Sequence, residues 1–292
     1  MSVSVIIVNY NTKELTLQTI ASVFEKTTDI DFEVIVVDNA STDGSTEAIE
    51  NAFPEVKLIK SNENLGFGRA NNKGAEIAKG RNLFFLNPDT ILINNAIKIL
   101  SDYLDNNKHV GVCGGNLYDI DEKPAHSYRM FYSPIIWDFN DMLSNKLERL
   151  MYGKNYDFNH TNSPKIVANI VGADMMIKRE IFNNVGGFDK DFFMYREETE
   201  LNYRIHIKGY KTLSIPDAKI IHLEGKSFSN NLNRKKRILD GRRLYFKKVS
   251  NKLSYYIGNF ICSCFSIIRI ILFTITQDKE KVELWKFILK NL

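Results

Sequence analysis

Residues 84–90, Phe-Phe-Leu-Asn-Pro-Asp-Thr, end an apolar run in a polar turn that carries one carboxylate, Asp89. A short apolar run bounded in this way fits a buried strand, and in open α/β sheets ligands sit outside the carboxyl ends of the strands. Asp89 therefore stands where a metal ion or a phosphate would be handled. Pro88 fixes its own φ and biases Asn87 toward extended geometry, so the chain leaves the strand in a set direction. A plainer reading makes Asp89 or Thr90 a cap for a helix starting near Asn94. Asp38 closes another apolar run. A carboxylate there can accept from a pyrimidine imide N–H or a ribose hydroxyl, while amides of the loop through Asp43 and Ser45 face an anion. The alternative is capping by Ser41 or Thr42, with Asp43 in the first helical turn.

Gly66-Phe67-Gly68 follows a strand pattern and opens a helical one, which invites a dinucleotide reading. The sixth position of that fingerprint is Asn71 rather than Gly, and the motif follows the third strand instead of the first, so a dehydrogenase is set aside. Gly66 and Gly68 fit close approach of backbone to a ligand, with Arg69 placed to neutralise a diphosphate or else solvated in a first helical turn. Further on, Glu197, Glu198 and Glu200 begin a helical pattern. Carboxylates at a helix start gain from its dipole, and that alone would account for them. Adjacent Glu197 and Glu198 cannot share one helix face, however, so one can serve as a general base while the other binds the acceptor or holds the first. His222 ends an apolar run before Gly225-Lys226-Ser227, either as a metal ligand beside Asp89 or as a cap.

The elements needed to position these groups follow from the pattern. Residues 3–8, 32–37, 56–59, 83–86 and 110–113 read as strands, and the first is continuous and β-branched. Helical patterns between them, such as the face formed by Leu15, Ile20, Val23 and Phe24, imply right-handed crossovers and a mainly parallel sheet flanked by helices. Residues 118–165 lose regular period and are rich in aromatics, residues 166–177 read as a strand, Arg196 opens a helix, and 211–215 and 218–221 read as two short strands. With 292 residues, 44% hydrophobic and 25% charged, the chain is globular: one large domain, or one with appendages. Its three cysteines suit a reducing compartment better than a disulfide scaffold. The N-terminus lacks a basic region before its short apolar run, so no signal peptide is expected and the chain is expected to begin in the cytoplasm.

Net charge is +4, but Arg234, Lys235, Lys236, Arg237, Arg242, Arg243, Lys247 and Lys248 are concentrated before an apolar stretch, 255–275, interrupted by Arg269. That stretch is long enough to span a bilayer. The basic approach and the apolar-basic sequence after it favour interfacial helices on an anionic membrane. A single span near 255–275 is the runner-up, and a soluble oligomer interface is the plain alternative.

Taken together, Val5-Ile6-Ile7-Val8-Asn9-Tyr10-Asn11, Val37-Asp38-Asn39-Ala40-Ser41-Thr42-Asp43-Gly44-Ser45, Asn64-Leu65-Gly66-Phe67-Gly68-Arg69-Ala70-Asn71, Asn87-Pro88-Asp89, Gly172-Ala173-Asp174, Gly187-Phe188-Asp189, Phe193-Met194-Tyr195-Arg196-Glu197-Glu198 and His222-Leu223-Glu224-Gly225-Lys226-Ser227 resemble, in order, the family 2 inverting glycosyltransferases and their rhamnosyltransferase-like branch. The resemblance implies a GT-A fold, an α/β nucleotide-diphospho-sugar transferase fold with a mainly parallel central sheet. It implies a catalytic domain over 1–228, with a nucleotide-sugar half at 1–110 and an acceptor half at 111–228, and a basic and apolar helical region at 229–292. By position, Val8, Tyr10, Asp38, Arg69, Asn87 and Asp89 would bind the nucleotide sugar, and Asp174 and Tyr195 the acceptor or sugar. Asp89, with His222, would hold Mg²⁺ or Mn²⁺; Asn87 replaces the first aspartate of the family's D-x-D motif. Glu198, where the family usually has an aspartate, would be the base, preceded by Glu197. The implied reaction is transfer of a sugar, first guess rhamnose from dTDP-rhamnose, to a glycan or polyprenyl-linked acceptor in cell-surface polysaccharide synthesis. A UDP-hexose-dependent transferase and a non-catalytic sugar-nucleotide or glycan-binding subunit are the alternatives. The expected place is peripheral, on the inner face of the cell membrane, with no nucleic-acid partner. The aromatic-rich 118–158 is the candidate acceptor side or a lid.

Overall fold

A computed structural model describes residues 1–143, 145–223 and 231–292. Strand β1 (Val3–Asn9) leads to α1 (Lys13–Lys26), β2 (Phe32–Asp38) to α2 (Ser45–Ala52), β3 (Lys57–Lys60) to α3 (Phe67–Ile77), and β4 (Asn82–Leu86) to β5 (Thr90–Leu92) and α4 (Ala96–Asn106). The chain continues through β6 (Val110–Tyr118), β7 (Tyr128–Arg129), α5 (Pro134–Met142), α6 (Lys146–Tyr152) and a 3₁₀ turn, then β8 (Lys165–Val167), β9 (Asn169–Ile170), β10 (Asp174–Lys178) and α7 (Arg179–Val185). It closes with α8 (Glu197–Ile207), β11 (Lys211–His222), α9 (Asn231–Val249), α10 (Lys252–Ile275) and α11 (Lys279–Lys290).

Nine strands form one sheet in the order β3-β2-β1-β4-β10-β6-β11-β5, with β8 also on β11, while β7 and β9 pair separately. Strands β1 to β4 run parallel, and β6 and β11 share their direction; β10, β5 and β8 run against it. Most strands are therefore parallel, as the alternating pattern implied. Alternation along β1 sends Val3, Val5 and Ile7 into a layer with Ile20 and Val23 of α1 and Leu100 and Leu104 of α4. Ile6 goes into the opposite layer with Phe182 of α7 and Leu201 and Ile205 of α8.

Several local expectations are corrected. Region 118–165 is not irregular: it holds β7, α5 and α6. Residues 166–177 break into three strands, and 211–222 is one strand with an irregular register between Ser214 and Lys219, beside Pro216, which cannot donate to a ladder. Thr90 starts a strand opposite His222 instead of capping a helix; its backbone N–H donates to Thr19 Oγ1 at 3.2 Å and its carbonyl accepts from the same hydroxyl at 2.7 Å, and α4 begins only at Ala96. Arg196 stands before α8 in the left-handed region rather than within the helix. Ser41 and Thr42 do not cap α2. Instead, Asp43 accepts from the backbone N–H of Lys13 and of Ser45, so one carboxylate serves the starts of both α1 and α2. Burial works to raise the Asp43 pKa, but bonds from Ser45 and Lys13 outweigh it and hold the group below its usual value. The expected motif residues Glu224, Gly225, Lys226 and Ser227 lie outside the described residues.

Candidate active site

The parallel ladders bring Asn9 and Asp38 side by side at the carboxyl edge of the sheet. Asn9 donates Nδ2 to Asp38 Oδ1 at 2.7 Å, and the Ser41 backbone N–H donates to Asp38 Oδ2 at 3.0 Å. Both carboxylate oxygens are thus aimed, and each keeps lone-pair capacity for a further donor. Asp38 is nearly buried, Val8 is half-buried, and Tyr10, just past the strand, is 43% exposed, as a flat ring awaiting a partner would be. Asn39 ties the next loop down: its Nδ2 donates to Asn64 Oδ1 and Gly66 O, and its Oδ1 accepts from Leu65 N–H.

Gly66 is required by contact as well as by conformation. Its φ is +78°, and a Cβ there would sit 2.1 Å from the Phe193 carbonyl oxygen. The Phe67 N–H donates to that same oxygen at 2.9 Å. The α3 loop is thereby fastened to the segment that precedes α8. Arg69 donates Nε to Leu65 O at 2.8 Å, which anchors its stem in the first turn of α3.

At the end of β4, Asp89 is 6% exposed, and its Oδ1 lies 3.3 Å from His222 Nε2 at the end of β11. Asn87 Nδ2 lies 3.4 Å from the same imidazole nitrogen. Carboxylate oxygen, imidazole nitrogen and amide therefore meet at one point. Two atoms 3.3 Å apart match the spacing of neighbouring ligands on one ion at about 2.1–2.2 Å each. By this spacing and donor chemistry the pair fits a divalent cation, although among the described residues no group of three or more His, Cys, Asp or Glu side chains is placed to hold one.

Antiparallel β10 starts where β4 ends, placing Asp174 opposite Leu86 at the same edge. Asp174 is fully buried; its Oδ2 accepts from Gly115 N–H at 2.6 Å, and its Oδ1 has no protein partner. Burial pushes its carboxyl well above the usual range. Just ahead, Ala173 O accepts from Asn87 N–H at 2.9 Å, and a Cβ on Gly172 would lie 3.8 Å from Glu198 Cβ. A run of three residues thus joins the Asp89 corner to α8.

Glu197 and Glu198 occupy different surroundings, as their adjacency required. Glu197 is 3% exposed beside Gly68 of α3, with Oε2 unpartnered. Burial first, then the charge of Glu198, raises its pKa well above the usual value. Glu198 is half-buried and its Oε1 accepts from Thr199 Oγ1 at 3.0 Å. Burial raises its pKa as well, while hydrogen bonds and the Arg196 charge pull it down. The two adjacent carboxyls therefore differ in environment, Glu197 buried and Glu198 more open, which would suit them to different roles. Glu200 belongs to neither role, being salt-bridged to Arg204 at 2.7 Å.

The turn ahead of α8 was not foreseen. Tyr195 and Arg196 both have positive φ, +72° and +74°. Arg196 is 9% exposed, with its guanidinium 4.2 Å above the Trp137 ring and 6.0 Å from the Tyr245 ring. Asn9 and Asn39 were not singled out as candidates; an Asn at the end of one strand and just past the end of the next was the available signal for both.

The sheet order and its flanking helices give the chain a GT-A-type fold. A family description, glycosyl transferase family 2, matches residues 4–198, and a second, glycosyl transferase family group 2, matches 146–289. The chain belongs to glycosyl transferase family 2 and is a glycosyltransferase. It is 28% identical over 206 residues, 66% of this chain and 67% of the other, to an N-acetylglucosaminyl-diphospho-decaprenol L-rhamnosyltransferase of Mycobacterium tuberculosis. It is 26% identical over 173 residues, 54% and 60% of the two chains, to rhamnosyltransferase WbbL of Escherichia coli. Among solved structures, the mannosyltransferase PcManGT of Pyrobaculum calidifontis, in complex with GDP-Man and Mn²⁺, superposes with TM-score 0.57 at 20% identity over 84% of this chain and 63% of that one. GalNAc-T7 with UDP, GalNAc and Mn²⁺ superposes with TM-score 0.63 at 19% identity over 91% and 51%. At these identities the superpositions speak for the fold.

Proposed function

We propose that the chain transfers rhamnose from dTDP-rhamnose, with inversion, to a glycan or polyprenyl-linked acceptor in cell-surface polysaccharide synthesis. The observation that carries this is the joining of two sites at one sheet edge: the Asp89–His222 corner and the Glu197–Glu198 pair, bridged by Gly172 and Ala173. The rhamnosyl part draws its support from the two relatives that carry that name.

In this reading Tyr10, with Val8 behind it, and Asp38 hold the nucleobase, and Arg69 neutralises the diphosphate. Asp89 and His222 would hold Mg²⁺ or Mn²⁺, which when bound supplies a Lewis acid to the leaving diphosphate, and Asn87 beside them would contact the nucleotide sugar. Glu198 takes the acceptor hydroxyl proton on its carboxylate. The acceptor oxygen attacks the anomeric carbon as the bond to the diphosphate oxygen breaks on the opposite face, and Arg69 takes up part of the charge that departs. Glu197 stays protonated, which spares the pair a second buried charge. Asp174 and Tyr195 border the sugar and acceptor.

The C-terminal helices suit a peripheral position on an anionic inner membrane face. Among the described residues α10 is the one helix long and apolar enough to cross a bilayer. Its inner side is nevertheless committed to protein: Gly258, Cys262 and Ser266 are buried, and Asn259 accepts from Arg242 at 2.8 Å. From Cys262 to the end of the helix is about 20 Å at ~1.5 Å per residue, short of the ~30 Å of a hydrocarbon core. Its outer side exposes Leu253, Tyr256, Phe260, Ile267, Ile271 and Ile275 at helical spacing along the full length, as a helix lying in the interface would. Arg269 is packed over Phe265 and Trp285 of α11.

Incubating the purified chain with anionic vesicles, Mn²⁺, a polyprenyl-diphospho-N-acetylglucosamine acceptor and separate nucleotide sugars tests the proposal. Release of dTDP from dTDP-rhamnose, faster than UDP from any UDP-hexose, is expected. Faster release from a UDP-hexose would replace the rhamnosyl part, and no release from any donor by folded protein would reject transfer.

A further inference from the structure

Two consecutive residues with positive φ are an unfavourable way to enter a helix for residues that carry a Cβ. Such strain persists only where the surroundings over-determine it, and here the backing for Tyr195 and Arg196 comes from α9. A Cβ on Gly241 would lie 2.4 Å from Tyr195 O, so α9 rests its backbone directly on the turn. One residue on, buried Arg242 donates Nε and Nη2 to the Asp138 carboxylate of α5 at 2.7–3.0 Å, and Nη1 to Asn259 of α10. Asp138 adjoins Trp137, whose ring carries the Arg196 guanidinium at 4.2 Å, and the Tyr245 ring of α9 lies 6.0 Å from that guanidinium and 6.1 Å from the Trp137 ring. The bidentate pair therefore clamps together α5 and α9, whose Trp137 and Tyr245 rings meet beside Arg196, and the Arg196 charge in turn acts on Glu198.

We infer that Gly241 and Arg242 are positioning residues for Glu197 and Glu198: they hold the left-handed Tyr195–Arg196 turn that sets the direction of the catalytic helix. This rests on the transferase reading above. It makes α9 part of the catalytic apparatus in addition to its basic approach to the membrane. Neither residue touches the donor-side groups Asp38, Arg69 or Asp89, so the effect falls on turnover rather than donor affinity.

The test is Gly241→Ala, with Arg242→Lys as a second variant that keeps the charge but cannot bridge Asp138 and Asn259 together. Both are made in the full chain on a Trp285→Phe background, so that Trp137 is the remaining tryptophan. Steady-state transfer from the best donor and Trp137 emission are read on samples whose circular dichroism matches the background protein. A loss in kcat of about 100-fold, the scale of an ångström-level misplacement, with donor KM unchanged and the Trp137 band shifted, is the expected result. Unchanged kcat, or kcat and donor KM lost in parallel with the melting temperature, overturns the positioning role. If the unsubstituted chain turns over no donor, the transferase reading fails by itself, and an unshifted Trp137 band in both variants then removes the inference too.

Discussion

Glu197 and Glu198 differ by one position and by everything around them. Glu198 is the more open of the two and is the one on which the Arg196 charge acts. Its pKa is nonetheless raised by burial, and a general base must be ionised to work. The pH dependence follows: kcat/KM falls as pH drops through a limb lying above the ordinary glutamate range, because protonation of Glu198 removes the base. Glu198→Gln should lower kcat by about 10²–10⁴-fold while leaving donor affinity by calorimetry intact and abolishing that acidic limb. An acidic limb retained in Glu198→Gln would move the base to Glu197. These two carboxylates, Asp89 and Asp38 stood out in the sequence as candidates because each stands at a strand end or helix start, where the sheet edge gathers polar groups. Asp43 was misjudged because a carboxylate shared between two helix starts depends on α1 and α2 beginning side by side, which no local pattern states. The left-handed Tyr195–Arg196 turn was illegible for a similar reason: nothing about Tyr or Arg favours positive φ, and the cause lies in Gly241, distant in sequence.

Among the elements, the strands with apolar runs fully covered by helices were plain, since burial on both faces leaves an unbroken hydrophobic signature. Strand β11 looked like two because Pro216 and Asp217 interrupt the pattern, although the chain continues through the irregularity to bring His222 to Asp89. Helices α5 and α6 were hidden because their apolar residues face several partners: Trp137 meets Arg129, Arg196 and Tyr245 rather than one core. Helix α10 carries the prediction at this scale. Its exposed apolar stripe should bind vesicles containing anionic lipid, and binding should weaken with salt through the basic residues of α9. Phe260→Glu with Ile271→Glu should shift the protein from vesicle pellet to supernatant in co-sedimentation without loss of helix content. Protein that resists both these charges and high-salt washing would point to a span instead.

In the whole molecule, the insertion of antiparallel β10 between β4 and β6 is what makes the site possible. It brings Asp174 and the Gly172-Ala173 link to the same edge as Asn9, Asp38 and Asn87, so that the groups proposed for donor and acceptor lie along one edge. Periodicity showed that strands and helices alternate, but strand order depends on long-range pairing that a pattern does not contain. The same holds for the C-terminal helices, read as an appendage for the membrane. Arg242, Tyr245 and Lys248 join them to Asp138, Tyr132 and Asp189 of the preceding fold. The central claim is that this edge binds a nucleoside-diphosphate sugar through a divalent cation held by Asp89. Titration calorimetry of the full chain with dTDP-rhamnose, in Mn²⁺ and then in EDTA, beside Asp89→Ala in Mn²⁺, tests it most directly. The account predicts saturable binding by the wild-type chain that EDTA abolishes and that Asp89→Ala weakens by at least about 100-fold, roughly the 3 kcal/mol expected for losing a charged ligand group. Equal affinity in EDTA and in Asp89→Ala would contradict it.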